Sequence, residues 1–334
     1  MNTLLETIGW LERKGYRRVA VLLNTSHTSG VPVGFKGVLL QVGAGARGHS
    51  GVFGPRKERI PLQNCPADVD AIVVADPAFY ATAMRLCESL QRKGVVVVPA
   101  NREALASLKL RGLDAQRAAW ETSAAANYVA RCNLKGHYLE FGCWYGRSFF
   151  NNYHEMKHWL AGDFFAFDSF AGLSAPKPLE SEYTGGDFAL GSYCCNKETF
   201  LLLCEMAEVA KERLRVTEGF YETTLEKPAS AYGLADKSVS VCVIDCDLLE
   251  PTRQVLEFVT PLLEDGALIY FDDWRLTRAS AKVGERAAAL EWLAVNRQFE
   301  LIEFDRTHWQ HQWFILGRRE PVIENERAQL VVPV

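Results

Sequence analysis

Long apolar runs are missing from this 334-residue chain. No stretch approaches the ~20 consecutive apolar residues that a membrane-spanning helix needs, so no membrane span is expected. A Lys/Arg block is missing too. The 37 basic and 41 acidic side chains leave a net charge of −4, which lacks the electrostatic footprint of a nucleic-acid binder. The Arg17–Arg18 and Arg318–Arg319 pairs read as solvated strand flanks. No paired CxxC occurs, which excludes a zinc ribbon. The cysteines number nine, an odd count, and several (Cys87 and Cys242 among them) lie in apolar segments. Cys194 and Cys195 are adjacent and poorly placed to chelate one metal. Such thiols fit a reducing cytoplasm. The opening MNTLLETIGWLERKGY carries acids inside an amphipathic helical pattern and does not read as a signal peptide. Internal repeats and low-complexity segments are absent. What is present, 48% hydrophobic and 23% charged, is the composition of a globular protein long enough for two domains.

The amino-terminal part has a strand-then-helix rhythm. Residues 18–23 (RVAVLL), 37–42 (GVLLQV), 71–75 (AIVVA) and 95–98 read as strands. A helix over 80–93 ends at Gly94, as βαβ units often do. A further helix is expected at 102–109. Residues 1–112 are read as a small α/β domain with no chemical motif of its own. Gly43-Ala44-Gly45-Ala46-Arg47-Gly48 matches GxGxxG literally. The dinucleotide fingerprint needs that loop to open a helix; here HSGVFGPRKER follows, so a flexible loop is expected. A helix over 118–132, within a connector at 113–135, leads to a second domain at 136–320 and a tail at 321–334. Strands in that second domain are expected at 138–141, 164–167, 213–217, 239–244 and 267–271, alternating with helices. Two more, at 299–305 and 312–316, are close enough to form an antiparallel hairpin.

Two of these strands end in acids. VCVIDCDLLEP brings Asp245 and Asp247 after an apolar run, and LIYFDDW brings Asp272 and Asp273. In a parallel α/β sheet, ligands sit beyond the carboxyl ends of the strands. Any one of these acids alone reads as a helix N-cap. Together, four carboxylates at one mouth repel each other and raise one another's pKa. A divalent cation relieves that repulsion, and oxygen-only ligands suit Mg²⁺, Ca²⁺ or Mn²⁺.

YLEFGCWYGRS is a strand, then Gly142, then Gly146, then Ser148 at a helix start. The glycines allow close approach of backbone to a ligand, and the helix N-terminus accepts a ligand carboxylate. Glu140 is placed to face an ammonium group. The next strand ends at Asp168, beside Ser169, where an acid commonly bonds ribose hydroxyls. Alone, the glycine turn reads equally as a plain strand-to-helix turn and Asp168 as an ordinary cap. Glu140, Gly142, Gly146 and Asp168 together favour an adenosyl ligand, and nicotinamide and S-adenosylmethionine sites use the same logic. The antiparallel hairpin, and an acid cluster after the fourth and fifth strands, favour S-adenosylmethionine over a nicotinamide.

From Gly136 to about Leu276 the chain resembles the macrocin O-methyltransferase (TylF/MycF-type) family, class I S-adenosylmethionine-dependent methyltransferases acting on sugar hydroxyls. YLEFGCWYGRS, FAFDSFAGL, VTEGFYETTL, VIDCDLLEPT and LIYFDDW carry the resemblance, in the family's order. It implies a doubly wound, seven-stranded Rossmann-like methyltransferase sheet with a carboxy-terminal antiparallel hairpin, preceded here by a smaller α/β domain that the resemblance does not cover. It implies Mg²⁺ ligands at Asp245, Asp272 and Asp273, with Asp245 also placed to take the proton of the acceptor hydroxyl. Glu140, Gly142, Gly146, Ser148, Asp168 and Ser169 are implied as cofactor contacts, and Gly219 and Phe220 as lining the cofactor pocket. The chain departs from the family at Cys246 (usually Gly), Leu249 (commonly Tyr), Pro251 (commonly Ser) and Trp274 (commonly Tyr), so the acceptor need not be a macrolide sugar.

The expected activity is O-methylation of a small-molecule or glycan acceptor, a sugar or other polyol. The rivals are an NAD-dependent oxidoreductase using the 43–48 loop, and a non-catalytic scaffold that keeps the fold. The long stretch 173–196 reads as a lid, with Tyr183, Asp187 and Tyr193 shaping the acceptor pocket. His308 and His311, around Trp309, read as an exposed polar connector, either one a base if no metal is present. His154 and His158 read as an ordinary half-buried helix. The amino-terminal domain is left with three roles: recognising a carrier-bound glycan, packing in a homo-oligomer, or steadying the lid.

Overall fold

The computed structural model describes residues 3–23, 35, 37–41, 59–101, 105, 113–304 and 309–319. The apolar runs of the amino-terminal part form a five-stranded sheet. Its members are β1 (Val19–Leu23), β2 (Val38–Gln41), β3 (Arg59–Pro61), β4 (Ala71–Val74) and β5 (Val96–Pro99). They lie in the order β3-β2-β1-β4-β5, every pairing parallel. VAVLL, AIVV and VVVP show no polar alternation, and β1, β4 and β5 are buried along their whole length. That is the pattern of parallel strands covered on both faces. β3 has only three residues, one of them Pro61, and occupies the sheet edge, where proline is tolerated. Helix α1 (Leu4–Arg13) starts at Thr3, whose hydroxyl accepts from the Glu6 N–H at 3.2 Å, and buries Ile8, Trp10 and Leu11. The helix expected over 80–93 is two, α2 (Tyr80–Leu86) and α3 (Glu88–Gln91), broken at Cys87. The expected helix at 102–109, the 43–48 loop and the tail at 321–334 lie outside or almost wholly outside the described residues.

Helix α4 (Leu113–Arg131) leads into the second sheet. Its strands are β6 (His137–Phe141), β7 (Phe164–Asp168), β8 (Leu214–Glu218), β9 (Val239–Ile244), β10 (Leu263–Phe271), β11 (Phe299–Glu303) and β12 (Gln312–Arg318). The order is β11-β12-β10-β9-β6-β7-β8. β6 to β10 are parallel, and β12 runs antiparallel to both β10 and β11. This is the seven-stranded, doubly wound sheet with a terminal antiparallel hairpin that the sequence predicts. The chain leaves β6 toward β7 and β8, then returns to place β9 on the other side of β6. That reversal opens a crevice between β6 and β9, where open α/β sheets bind ligands. The crossover helices are α5 (Arg147–Met156), α7 (Lys197–Met206), α9 (Leu249–Val259) and α10 (Gly284–Val295), with α6 (Pro178–Thr184) inside the expected lid and α8 (Tyr221–Thr224) after β8.

The two sheets share one hydrophobic core. Trp10, Val97, Tyr80, Tyr145 and Phe200 belong to the same buried cluster. Tyr80 meets Tyr145 edge to face, with ring centroids 5.7 Å apart. Each such buried large side chain stabilises the fold by roughly 1.5–3 kcal/mol. Polar contacts fix the register across the join: the Val97 N–H donates to Thr199 Oγ1 at 3.1 Å, and Asn196 Nδ2 donates to the carbonyls of Gln91 and Val95, both at 2.9 Å. Among the described residues, no helix is long and apolar enough to cross a membrane.

Candidate active site

A cavity of about 680 Å³ opens beyond the carboxyl ends of β6, β7, β9 and β10, within the usual size of a small-molecule site. One wall is the glycine turn. Gly142 follows β6 with φ +83°, and a Cβ there would overlap the carbonyl oxygen of Asp245. The turns after β6 and β9 therefore touch backbone to backbone, and only glycine fits. The Gly142 N–H donates to Phe167 O and the Asp245 N–H to Phe141 O, both at 2.9 Å. Gly146, at φ +87°, starts α5.

Asp168, at the end of β7, pins this turn. One carboxylate oxygen accepts from the N–H groups of Cys143 (2.7 Å) and Trp144 (3.0 Å), the other from Phe170 (2.7 Å). Burial still pushes its pKa up, against those three donors. Ser169 donates to the Gly172 carbonyl at 2.7 Å. The Gly219 N–H donates to the Asp168 carbonyl at 2.9 Å. Gly142, Gly146's neighbour Arg147, Ser148, Asp168, Ser169, Gly219 and Phe220 all stand within or beside the cavity wall. Glu140 does not reach the wall. It is fully buried behind it, accepting from Ser148 Oγ at 2.6 Å and from the Tyr138 hydroxyl. Burial pushes Glu140 up to about 7. Ser148, not Glu140, is the face that a ligand meets.

The opposite wall is acidic. Asp245, Asp247, Asp272 and Asp273 all line the cavity. Burial, then repulsion from Asp272, Asp247 and Asp273, raises Asp245 well above the carboxylate range. Burial and Asp272 push Asp273 up to about 7. Asp272 accepts from the Tyr270 hydroxyl at 2.6 Å, and Gln310 Nε2 donates to Asp273 Oδ1 at 2.8 Å. Asp273 Oδ2 is buried with no hydrogen-bond partner. Among the described residues, no three His, Cys, Asp or Glu side chains are arranged to hold a metal ion.

Several residues of this wall were not foreseen. Glu285, in the first turn of α10, is fully buried and accepts from the N–H groups of Cys246 (3.0 Å), Asp247 (3.3 Å) and Asp273 (2.8 Å). One carboxyl thus braces both acid turns. In the sequence it is only an acid in a helix's first turn, as the helix dipole favours. His311 is not an exposed connector residue: its side chain is 11% exposed, pairs through Nε2 with the buried Glu121, and has Nδ1 4.0 Å from Asp272 Oδ1. Trp309 alone fits the exposed reading, at 61%; His308 lies outside the described residues. His154 and His158 do not form a helical pair, because α5 ends at Met156; His154 instead bonds the Ala207 carbonyl at 2.7 Å.

The macrocin-O-methyltransferase (TylF) family profile matches residues 115–310, more than half of the chain. The chain belongs to that family. It is an S-adenosylmethionine-dependent O-methyltransferase, and the oxidoreductase and scaffold readings fall away. Among solved structures it is similar to CalS11, a calicheamicin methyltransferase, at 18% identity and a TM-score of 0.53, covering 70% of this chain and 91% of that one. It is also similar to the O-methyltransferase NovP, at 16% identity and a TM-score of 0.49, covering 73% of this chain and all of that one. No curated protein sequence matches it closely. Within this O-methyltransferase the unusual Cys246 is buried, its Sγ 3.6 Å from the Phe141 carbonyl. Of the lid residues, Asp187 and Tyr193 line the cavity, whereas Tyr183 lies under Arg278 at 5.4 Å and off the wall.

Proposed function

We propose that this enzyme moves the methyl group of S-adenosylmethionine to a hydroxyl of a sugar or other polyol, with Mg²⁺ assistance. The observation that carries the reading is one cavity with a glycine turn on one wall and an acid mouth on the other. The catalytic unit is residues 136–320, joined through 113–135 to the unit at 1–112, and the nine free thiols suit a reducing cytoplasm.

In this reading Ser148, the Gly142–Gly146 turn, Asp168, Ser169, Gly219 and Phe220 hold the cofactor, with Glu140 fixing Ser148 from behind. Asp245, Asp272 and Asp273 would hold the metal. The chemistry of the donor set suits a hard cation, because every atom is a carboxylate oxygen, the groups raise one another's pKa, and Asp273 Oδ2 is orphaned; the three side chains would have to turn toward one point to hold it. Bound there, a divalent cation would make a coordinated hydroxyl more acidic. Asp245, which a bound cation would keep ionised against burial and repulsion, would take the hydroxyl proton as the new C–O bond forms and the C–S bond breaks, leaving a neutral thioether. General-base help of this kind is worth ~10²–10⁴-fold. Holding nucleophile and methyl carbon in line supplies roughly 7–11 kcal/mol, so positioning is the larger effect.

The test is calorimetric titration of S-adenosylhomocysteine, with and without Mg²⁺, into the wild type and Asp168→Ala. Micromolar binding that weakens in the variant is expected. Absence of binding in the wild type as well as the variant would sink the proposal.

A further inference from the structure

Tyr193 stands on the lid with its ring in the cavity wall, at a backbone φ of +58° that a tyrosine rarely adopts. Such a conformation persists only where the surroundings hold it. What holds it comes from the amino-terminal unit, which the family profile leaves unmatched. Arg85 on α2 lays its guanidinium over the Tyr193 ring at 4.5 Å and donates from Nη1 to the Tyr193 hydroxyl at 3.0 Å. Glu88 Oε1 on α3 accepts the Tyr193 N–H at 2.8 Å. Arg92 Nη1 donates to the Gly191 carbonyl at 2.7 Å, and Gln91 Nε2 to the Cys194 carbonyl at 3.2 Å. Four side chains from residues 85–92, across α2, α3 and the cap that ends α3, therefore grip residues 191–194.

The position so fixed is chemically specific. The Tyr193 ring meets Trp144 edge to face, with centroids 5.2 Å apart. Trp144 belongs to the glycine turn, also at positive φ (+44°), pinned by Asp168. Its indole N–H is buried with no hydrogen-bond partner. Tyr193 and Trp144 line the same cavity as Asp247 and Asp273. The pair thus spans the gap between the cofactor turn and the acid mouth, where methyl and acceptor must meet.

We propose that the amino-terminal unit is a working part of the active site: through Arg85 and Glu88 it sets Tyr193 against Trp144, and these two rings form the seat for the acceptor's sugar ring. Aromatic rings pack against the apolar C–H face of a pyranose, and Trp144 and Tyr193 both line the cavity. Tyr193 and Trp144 contact the acceptor; Arg85 and Glu88 are positioning residues that act through Tyr193. The inference rests on the methyltransferase reading above and deepens it.

The experiment uses the full-length protein loaded with S-adenosylhomocysteine. Binding of methyl α-glucoside, methyl α-galactoside and methyl α-rhamnoside at millimolar concentration is read by saturation-transfer NMR. The variants are Arg85→Ala, Tyr193→Ala and the double variant, with Tyr193→Phe to keep the ring and lose the Arg85 bond. At least one glycoside is expected to bind the wild type. Arg85→Ala is expected to weaken it at least fivefold while leaving S-adenosylhomocysteine affinity unchanged. The double variant should be no worse than Tyr193→Ala, because Arg85 acts through that ring. Tyr193→Phe should fall between. Binding of glycoside to Arg85→Ala as tightly as to wild type, additive losses in the double variant, or no glycoside signal from a wild type that does bind S-adenosylhomocysteine would each overturn the proposal. No S-adenosylhomocysteine binding at all would instead remove the reading on which it rests.

Discussion

Replacing Gly142 with alanine tests whether both walls of the cavity depend on one backbone contact. The native φ of +83° costs an alanine about 1–2 kcal/mol. The added methyl would overlap the Asp245 carbonyl oxygen, and real Cβ atoms do not come closer than 3.0 Å to such a neighbour. The turns after β6 and β9 must therefore part by roughly 1 Å. Two hydrogen bonds hold the displaced backbone, Asp245 N–H to Phe141 O between the two turns and Gly142 N–H to Phe167 O toward β7, and each is worth about 1 kcal/mol. The total expected destabilisation is ~2–4 kcal/mol. Displacements of about 1 Å cost on the order of 10²-fold in function. The expected outcome is a melting temperature lower by several degrees and S-adenosylhomocysteine affinity at least tenfold weaker, read by thermal unfolding and calorimetry on the same sample. A Gly142→Ala protein that melts and binds like the wild type would refute the argument that close backbone approach is what fixes glycine here.

Glu285→Ala leaves three backbone N–H groups of the acid turns without their acceptor, at ~1–3 kcal/mol for each that water does not reach; a lower melting temperature and loss of any Mg²⁺ response are expected, and a Mg²⁺ response equal to the wild type's would count against the bracing role. Glu140 has a folded pKa of about 7 against 4.5 for the ordinary group, so the folded state holds a proton that the unfolded state releases between those values. Stability from this group is therefore present below pH 4.5 and falls away as pH rises through 7, by ~3 kcal/mol. Glu140→Gln should flatten that decline, and pH-dependent melting curves parallel to the wild type's would show the assignment to be mistaken. Asp273→Asn removes a buried carboxyl whose pKa burial, then Asp272, pushes up to about 7; in chelator the variant should melt higher than the wild type, yet gain nothing from added Mg²⁺, and a wild-type Mg²⁺ shift would exclude Asp273 from the metal set.

The catalytic sheet was legible because its strands are short apolar runs with abrupt polar ends. Val239–Ile244 falls where the run VCVI places it, and Asp245, Asp168 and Asp272 sit at strand ends for the same reason. Contacts across long sequence separation were not legible. Glu285 reaches the turn at Cys246, 39 positions earlier, and His311 meets Glu121, 190 positions earlier. Local pattern carries no information about such partners. The strand-end position of Asp168 suits a ribose ligand, but nothing in FFAFD tells that its carboxylate accepts three turn N–H groups. β3 escaped because RIP has neither the length nor the alternation of a strand.

The shared core has a consequence for synthesis. The sheet β1–β5 is complete when Pro99 has been made, but the helix that covers β5 is α7, and the bond from Val97 to Thr199 spans 102 positions. At a bacterial or eukaryotic ribosome adding ~5–20 residues per second, that face waits several seconds for its cover. The nascent amino-terminal sheet is therefore a natural client for a chaperone. A chain cut after the first sheet would keep that face bare for good, so the amino-terminal unit should be recovered in soluble form only when α7 is expressed with it.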